Sequence, residues 1–122
     1  MEQATFDYIA PRVDILSTSQ ASTQVTKDAA VAWKKVIAAD NSDTAIEQAT
    51  KQLLDILEGR PTTIDGVIAF AQGPAKEMFG EEAAAQFLAK QQQRKADGAK
   101  WCDCDACTAA SEILAKFGRA EL

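Results

Sequence analysis

Residues 25–61 read VTKDAAVAWKKVIAADNSDTAIEQATKQLLDILEGRP, and this stretch decides the fold class. Val25, Ala29, Ala32, Trp33, Val36 and Ile37 recur at three- and four-residue spacing, the period of one helix face. Asp40-Asn41-Ser42 ends that helix and opens the next. Ser42 is the expected N-cap, because its hydroxyl can accept from an orphan first-turn N–H. Ala45, Ile46, Ala49, Leu53, Ile56 and Leu57 then mark a second amphipathic helix. Gly59 and Pro61 stop it, in the order a helix C-terminus favours.

The same period runs outward on both sides. Phe6, Ile9, Val13 and Leu16 are helically spaced, with Pro11 as either an early helical residue or a break. Polar residues 17–23 read as a loop. Thr62 and Asp65 fit a capping box for a helix carrying Ile64, Val67, Ile68 and Ala71. Gly73-Pro74 is a break, and a further helix is expected over 81–96, with Ala84, Phe87, Leu88 and Gln91 on one side. Its later part, 90–95, is all polar and is expected to be solvated or to meet a partner. The last helix starts near Asp103 or Asp105 and presents Ala106, Ala110, Ile113, Leu114 and Phe117. No sustained apolar/polar alternation marks a strand. The expectation is an all-α, single-domain bundle of five or six short helices over residues 1–122, with Trp33, Phe70, Phe79 and Phe87 in its core.

All three cysteines of the chain fall within Trp101-Cys102-Asp103-Cys104-Asp105-Ala106-Cys107. The spacing is C-x-C overlapping C-x-x-C. On the last helix, Cys107 borders the apolar face, Cys104 points away from it, and Cys102 precedes the helix. At least two thiols are therefore poorly placed to serve as small core hydrophobes. The start of a helix stabilises thiolates through its N–H groups and dipole. Asp103 and Asp105 oppose a second anion, which disfavours a lone activated nucleophile and favours a cation as the compensating charge. Asp105 is also the expected N-cap of this helix. Three thiolates leading into a helix can converge on one ion, with Asp103, water, a substrate or a second chain completing the shell. Such a donor set favours Zn, Cu(I) or an iron–sulfur cluster. Ordinary clusters take four cysteines, one more than this chain has.

Composition narrows the alternatives. There is no histidine, which removes Ser-His-Asp and Cys-His catalysis within one chain and every His-ligated metal site. A net charge of −5 sets the chain against non-specific nucleic-acid binding. Neither a G-x-G-x-x-G nor a P-loop pattern occurs, and no acid/base pair is singled out by spacing. No apolar run is long enough to span a bilayer, and the polar start does not read as a signal peptide, so a cytoplasmic protein is expected. Thiols there are normally kept reduced. The sequence thus points to a helical protein that binds a thiophilic metal or iron–sulfur centre through Cys102, Cys104 and Cys107, with Asp103 as nearest oxygen donor. A homodimer or protein partner is possible, and no nucleic acid or membrane is expected as partner. Two alternatives stand beside this: thiol–disulfide exchange at the same cysteines, or a metal-free helical interaction module whose contact surfaces are the polar stretch 90–95 and the weakly amphipathic N-terminus.

Overall fold

Seven α-helices carry 74% of the residues and no strand forms, so the fold is all-α. The computed structural model describes residues 1–122. The helices are α1 (Gln3–Thr18), α2 (Gln24–Ala39), α3 (Asp43–Leu57), α4 (Ile64–Gln72), α5 (Pro74–Phe79), α6 (Glu81–Ala96) and α7 (Asp105–Lys116). The count exceeds the expected five or six because Gly73-Pro74 and Gly80 cut a short helix, α5, out of the region between α4 and α6. Gly80 has φ +87°, a left-handed backbone that an L side chain would strain. None of the seven is long and apolar enough to cross a membrane.

The chain packs as two compact units, Met1–Pro61 with Asp103–Glu121, and Thr62–Cys102 with Leu122. In the first, α1 packs on α2 and α7, and α3 packs on the same two, so the four helices close a ring around one core. Ile9, Val13 and Leu16 of α1, Ala30 and Trp33 of α2, Leu53 and Leu57 of α3, and Ile113 and Leu114 of α7 fill it. Pro11 interrupts neither the helix nor the core. It lies inside α1 on the exposed side, where the carbonyl it leaves unpaired can meet solvent. Phe6 stacks on Trp33 at 5.7 Å between ring centroids.

The face of α2 is rotated from the one its apolar pattern predicts. Thr26, Ala29, Ala30 and Trp33 are buried, while Val25, Ala32 and Val36 are exposed. The reason is a polar contact inside the core: the Trp33 indole N–H donates to the Thr50 hydroxyl at 3.0 Å, both residues being buried. An indole donor taken out of water needs such a partner. Ser42 caps α3 as expected, accepting from the Ala45 N–H at 3.3 Å.

In the second unit α6 packs on α4 and α5. The cap of α4 is Thr63, one residue past the expected Thr62, and its hydroxyl accepts from the Gly66 N–H at 3.0 Å. Position N3 of α4 is therefore a glycine and no capping box forms. The segment after α6 runs antiparallel past this start. The Ile64 N–H donates to the Lys100 carbonyl at 2.9 Å, the Cys102 N–H donates to the Thr62 carbonyl at 2.8 Å, and Thr63 and Trp101 form an isolated bridge. Phe70, Phe79 and Phe87 meet edge-on with centroids 6.1–6.3 Å apart. Phe79 nevertheless stays 50% exposed, against the expectation of a core position. The polar run 90–95 is not wholly solvated either. Gln91 is fully buried, and its amide oxygen accepts from Arg94 at 2.8 Å.

Replacing Thr50 with valine keeps the side-chain volume and removes the acceptor of the Trp33 indole. Urea unfolding followed by circular dichroism should show a loss of about 1–3 kcal/mol, the cost of a buried unsatisfied donor. A variant as stable as the parent contradicts the assignment of this contact as the one that orients α2.

Candidate metal centre

The site is built from the end of one backbone pairing and the start of one helix. Cys102 is held by its N–H bond to the Thr62 carbonyl. Two residues on, Cys104 is the N-cap of α7, with extended backbone at φ −63° and ψ 155°. Its Sγ accepts from the Cys107 N–H at 3.3 Å. Cys107 is thus N3 of the helix. The three Sγ atoms all lie within 4.8 Å of one another, and all three residues are half-buried thiols.

This corrects the expected cap. Asp105 has the stronger N-cap propensity, but it is the first helical residue and its carboxylate is turned to other donors. Asp105 Oδ1 accepts from the Ser19 hydroxyl and from the Ala106 N–H, the latter at 2.8 Å. Ser19 is the C-cap of α1. The carboxylate therefore ties the end of α1 to the start of α7, and the cysteine before it takes the capping position. A sulfur at an N-cap receives an N–H bond and the positive end of the helix dipole, both of which favour its anionic form.

The far side of α7 is fixed to α1 as well. Glu112 Oε2 accepts from Arg12 Nη2 at 2.9 Å and Nε at 3.3 Å, and from the Tyr8 hydroxyl at 3.4 Å. The Arg12 guanidinium lies 3.6 Å from the centroid of the Tyr8 ring and donates to the Tyr8 carbonyl at 2.7 Å. Two polar ties and an apolar face on the core leave α7 little freedom to turn its first residues elsewhere.

Asp103 is exposed and is not among the atoms of the sulfur group. It lines a groove of about 450 Å³ together with Arg12, Asp105, Thr108 and Glu112, with Pro11, Ile15 and Ala109 as the apolar wall. That groove carries three carboxylates against one guanidinium, so the field beside Cys104 favours cations over anions. Sequence reasoning did not reach Ser19, Arg12 and Glu112. Each acts across the fold at a separation of 86 or 100 residues, for which a local pattern carries no signal.

No family model, no curated protein and no solved structure matches the chain.

In metal-free protein, Cys104→Ala should cost about 1 kcal/mol of stability, because the cap acceptor is gone. Cys104→Ser should cost less than half of that, since a hydroxyl is a better cap than a thiol. Chemical unfolding of the two variants side by side checks this. Equal losses would show that the sulfur does not cap α7.

Proposed function

We propose that Cys102, Cys104 and Cys107 together hold one thiophilic metal ion or an iron–sulfur centre. The observation that carries this reading is the convergence of three sulfurs within 4.8 Å. Around a tetrahedral zinc ion with Zn–S of about 2.3 Å, sulfurs sit about 3.8 Å apart. Closing from the observed spacing takes side-chain shifts of about 1 Å, which half-buried cysteines on a loop and a first helical turn can make. Ligation also answers the charge problem. Three thiolates beside Asp103 and Asp105 repel one another unless a cation lies among them.

The donor set restricts what binds. It contains no imidazole, and soft thiolates select Zn, Cu(I) or iron–sulfur chemistry over hard cations such as Mg or Ca. Zinc and an iron–sulfur cluster each leave one position for a fourth ligand. Asp103, which stands between Cys102 and Cys104 in the sequence, is the side chain we propose for it, and water, a small ligand or a protein partner are the others. The chemistry at such a centre belongs to the ion and its open position, as no neighbouring side chain offers a histidine base.

A second reading is favoured by one particular observation. Cys104 and Cys107 stand as a C-x-x-C pair at a helix start, with the first sulfur as cap, an arrangement suited to thiol–disulfide exchange. The third sulfur is what sets the metal reading ahead, because exchange needs two thiols and the group holds three.

Protein purified anaerobically and without a metal-binding tag should carry close to one equivalent of Zn or Cu per chain, or iron with a visible charge-transfer absorption. Serine at any one of the three cysteines should abolish stoichiometric binding. Protein that comes from cells without metal, and binds none when titrated in the reduced state, overturns the proposal. A reversible Cys104–Cys107 disulfide in the same protein would then support exchange.

A further inference from the structure

Cys104 and Cys107 form a distinct pair within the group of three. Cys104 is the N-cap of α7 and Cys107 is its third residue, so one helix start fixes the backbone of both. The Cys107 N–H donates to Cys104 Sγ at 3.3 Å, which lays that sulfur over the backbone of its partner. Their sulfurs lie within 4.8 Å of each other, and both residues are half-buried, so a small reagent can reach them. A disulfide needs sulfurs about 2.05 Å apart. One χ1 rotation between staggered positions moves a cysteine sulfur by about 3 Å, enough to close the gap. Helix α7 is held by the Ser19 bond to Asp105 and the Arg12 bond to Glu112, and neither tie passes through a sulfur. The pair can therefore close while the helix stays where it is.

We propose that a hydroperoxide closes Cys104 and Cys107 to a disulfide and so releases the metal ion. This rests on the metal reading above and adds its regulation: ion and disulfide are two exclusive states of one site. One sulfur of the pair attacks an oxygen of the hydroperoxide. An S–O bond forms, the O–O bond breaks, and the other oxygen leaves as an alcohol, or as water from hydrogen peroxide. The second sulfur attacks the first. An S–S bond forms, the S–O bond breaks, and the oxygen leaves as water. Two thiols lose two electrons and two protons, and the peroxide takes up both. The thiolate is the metal ligand, so the disulfide withdraws two of the three donors at once and leaves Cys102 alone. A thiol reductant reverses the step by exchange. The size and charge of the oxidant follow from the surroundings. Half-buried sulfurs exclude bulk, and the groove beside them sets Asp103, Asp105 and Glu112 against Arg12, which disfavours an anionic disulfide as oxidant.

The test uses the reduced full chain with zinc as the probe. Loading with one equivalent is measured first. Hydrogen peroxide is then added while a chromogenic chelator reports released zinc. One zinc ion should leave for each disulfide formed. Fragment spectra of the alkylated protein should place the disulfide at Cys104–Cys107 and the alkyl group on Cys102. Dithiothreitol should restore zinc binding. Cys102→Ser, followed without zinc, should form the same disulfide at a rate within about twofold of the metal-free parent. A parent that loads no zinc overturns the metal reading and this inference together. Three results overturn the inference alone and leave the metal reading standing: zinc that stays bound after oxidation or does not return after reduction, a disulfide that takes in Cys102, or a Cys102→Ser protein that forms none.

Discussion

The anchoring of α7 is the constraint on which the site depends. Ala106, Ala109, Ala110, Ile113 and Leu114 bury one face of this helix in the four-helix core, which fixes its rotation. Asp105 to Ser19 and Glu112 to Arg12 fix its two ends against α1. With rotation and position both set, the side of the first turn that carries Cys104 and Cys107 follows. The Cys104 cap adds a local lock, since its sulfur is the acceptor for the Cys107 N–H. Helix packing therefore does for the sulfurs what a rigid scaffold does for any site built at an element's end. It holds the two helix-borne sulfurs in place.

That order has an electrostatic counterpart. Most features around Cys104 are arranged for opposite purposes: the helix start stabilises an anion, whereas Asp103, Asp105 and the acidic groove resist one. The proposed cation would satisfy both, by neutralising the thiolates within a field that attracts it. A neutral dithiol would leave the acidic surroundings without a role. The absence of histidine sharpens the chemistry further, because a site with sulfur donors alone discriminates by softness more than by geometry.

Much of the fold was legible in the sequence. The stripes of α1 and α7, most of that of α3, the Ser42 cap and the bounds of α6 follow from local periodicity and stop signals, although Ile56 of the expected α3 stripe is exposed and Leu54 is buried in its place. What was not legible depends on long-range satisfaction of polar groups. The pattern of α2 alone cannot tell which of two adjacent apolar stripes faces inward, and the Trp33–Thr50 bond decides it. Gln91 reads two ways, on the side of Ala84, Phe87 and Leu88 and within an all-polar run, and it is buried with its amide oxygen accepting from Arg94. Phe79 reads as core yet stands half in solvent at the end of a six-residue helix. The cysteine group was legible because its spacing is local, but Cys104, expected to point away from the apolar face, packs against the core as the cap of α7. That cap was not legible, because propensity favours Asp105 and the hydroxyl that draws Asp105 away comes from Ser19, 86 residues earlier.

The most direct test of the central claim is X-ray absorption at the metal edge of reduced protein loaded with one equivalent of zinc. Three sulfur neighbours at about 2.3 Å, with one lighter neighbour completing the shell, are the predicted result. A shell of oxygen and nitrogen alone at about 2.0–2.2 Å, unaltered when the three cysteines are replaced by serine, would contradict it.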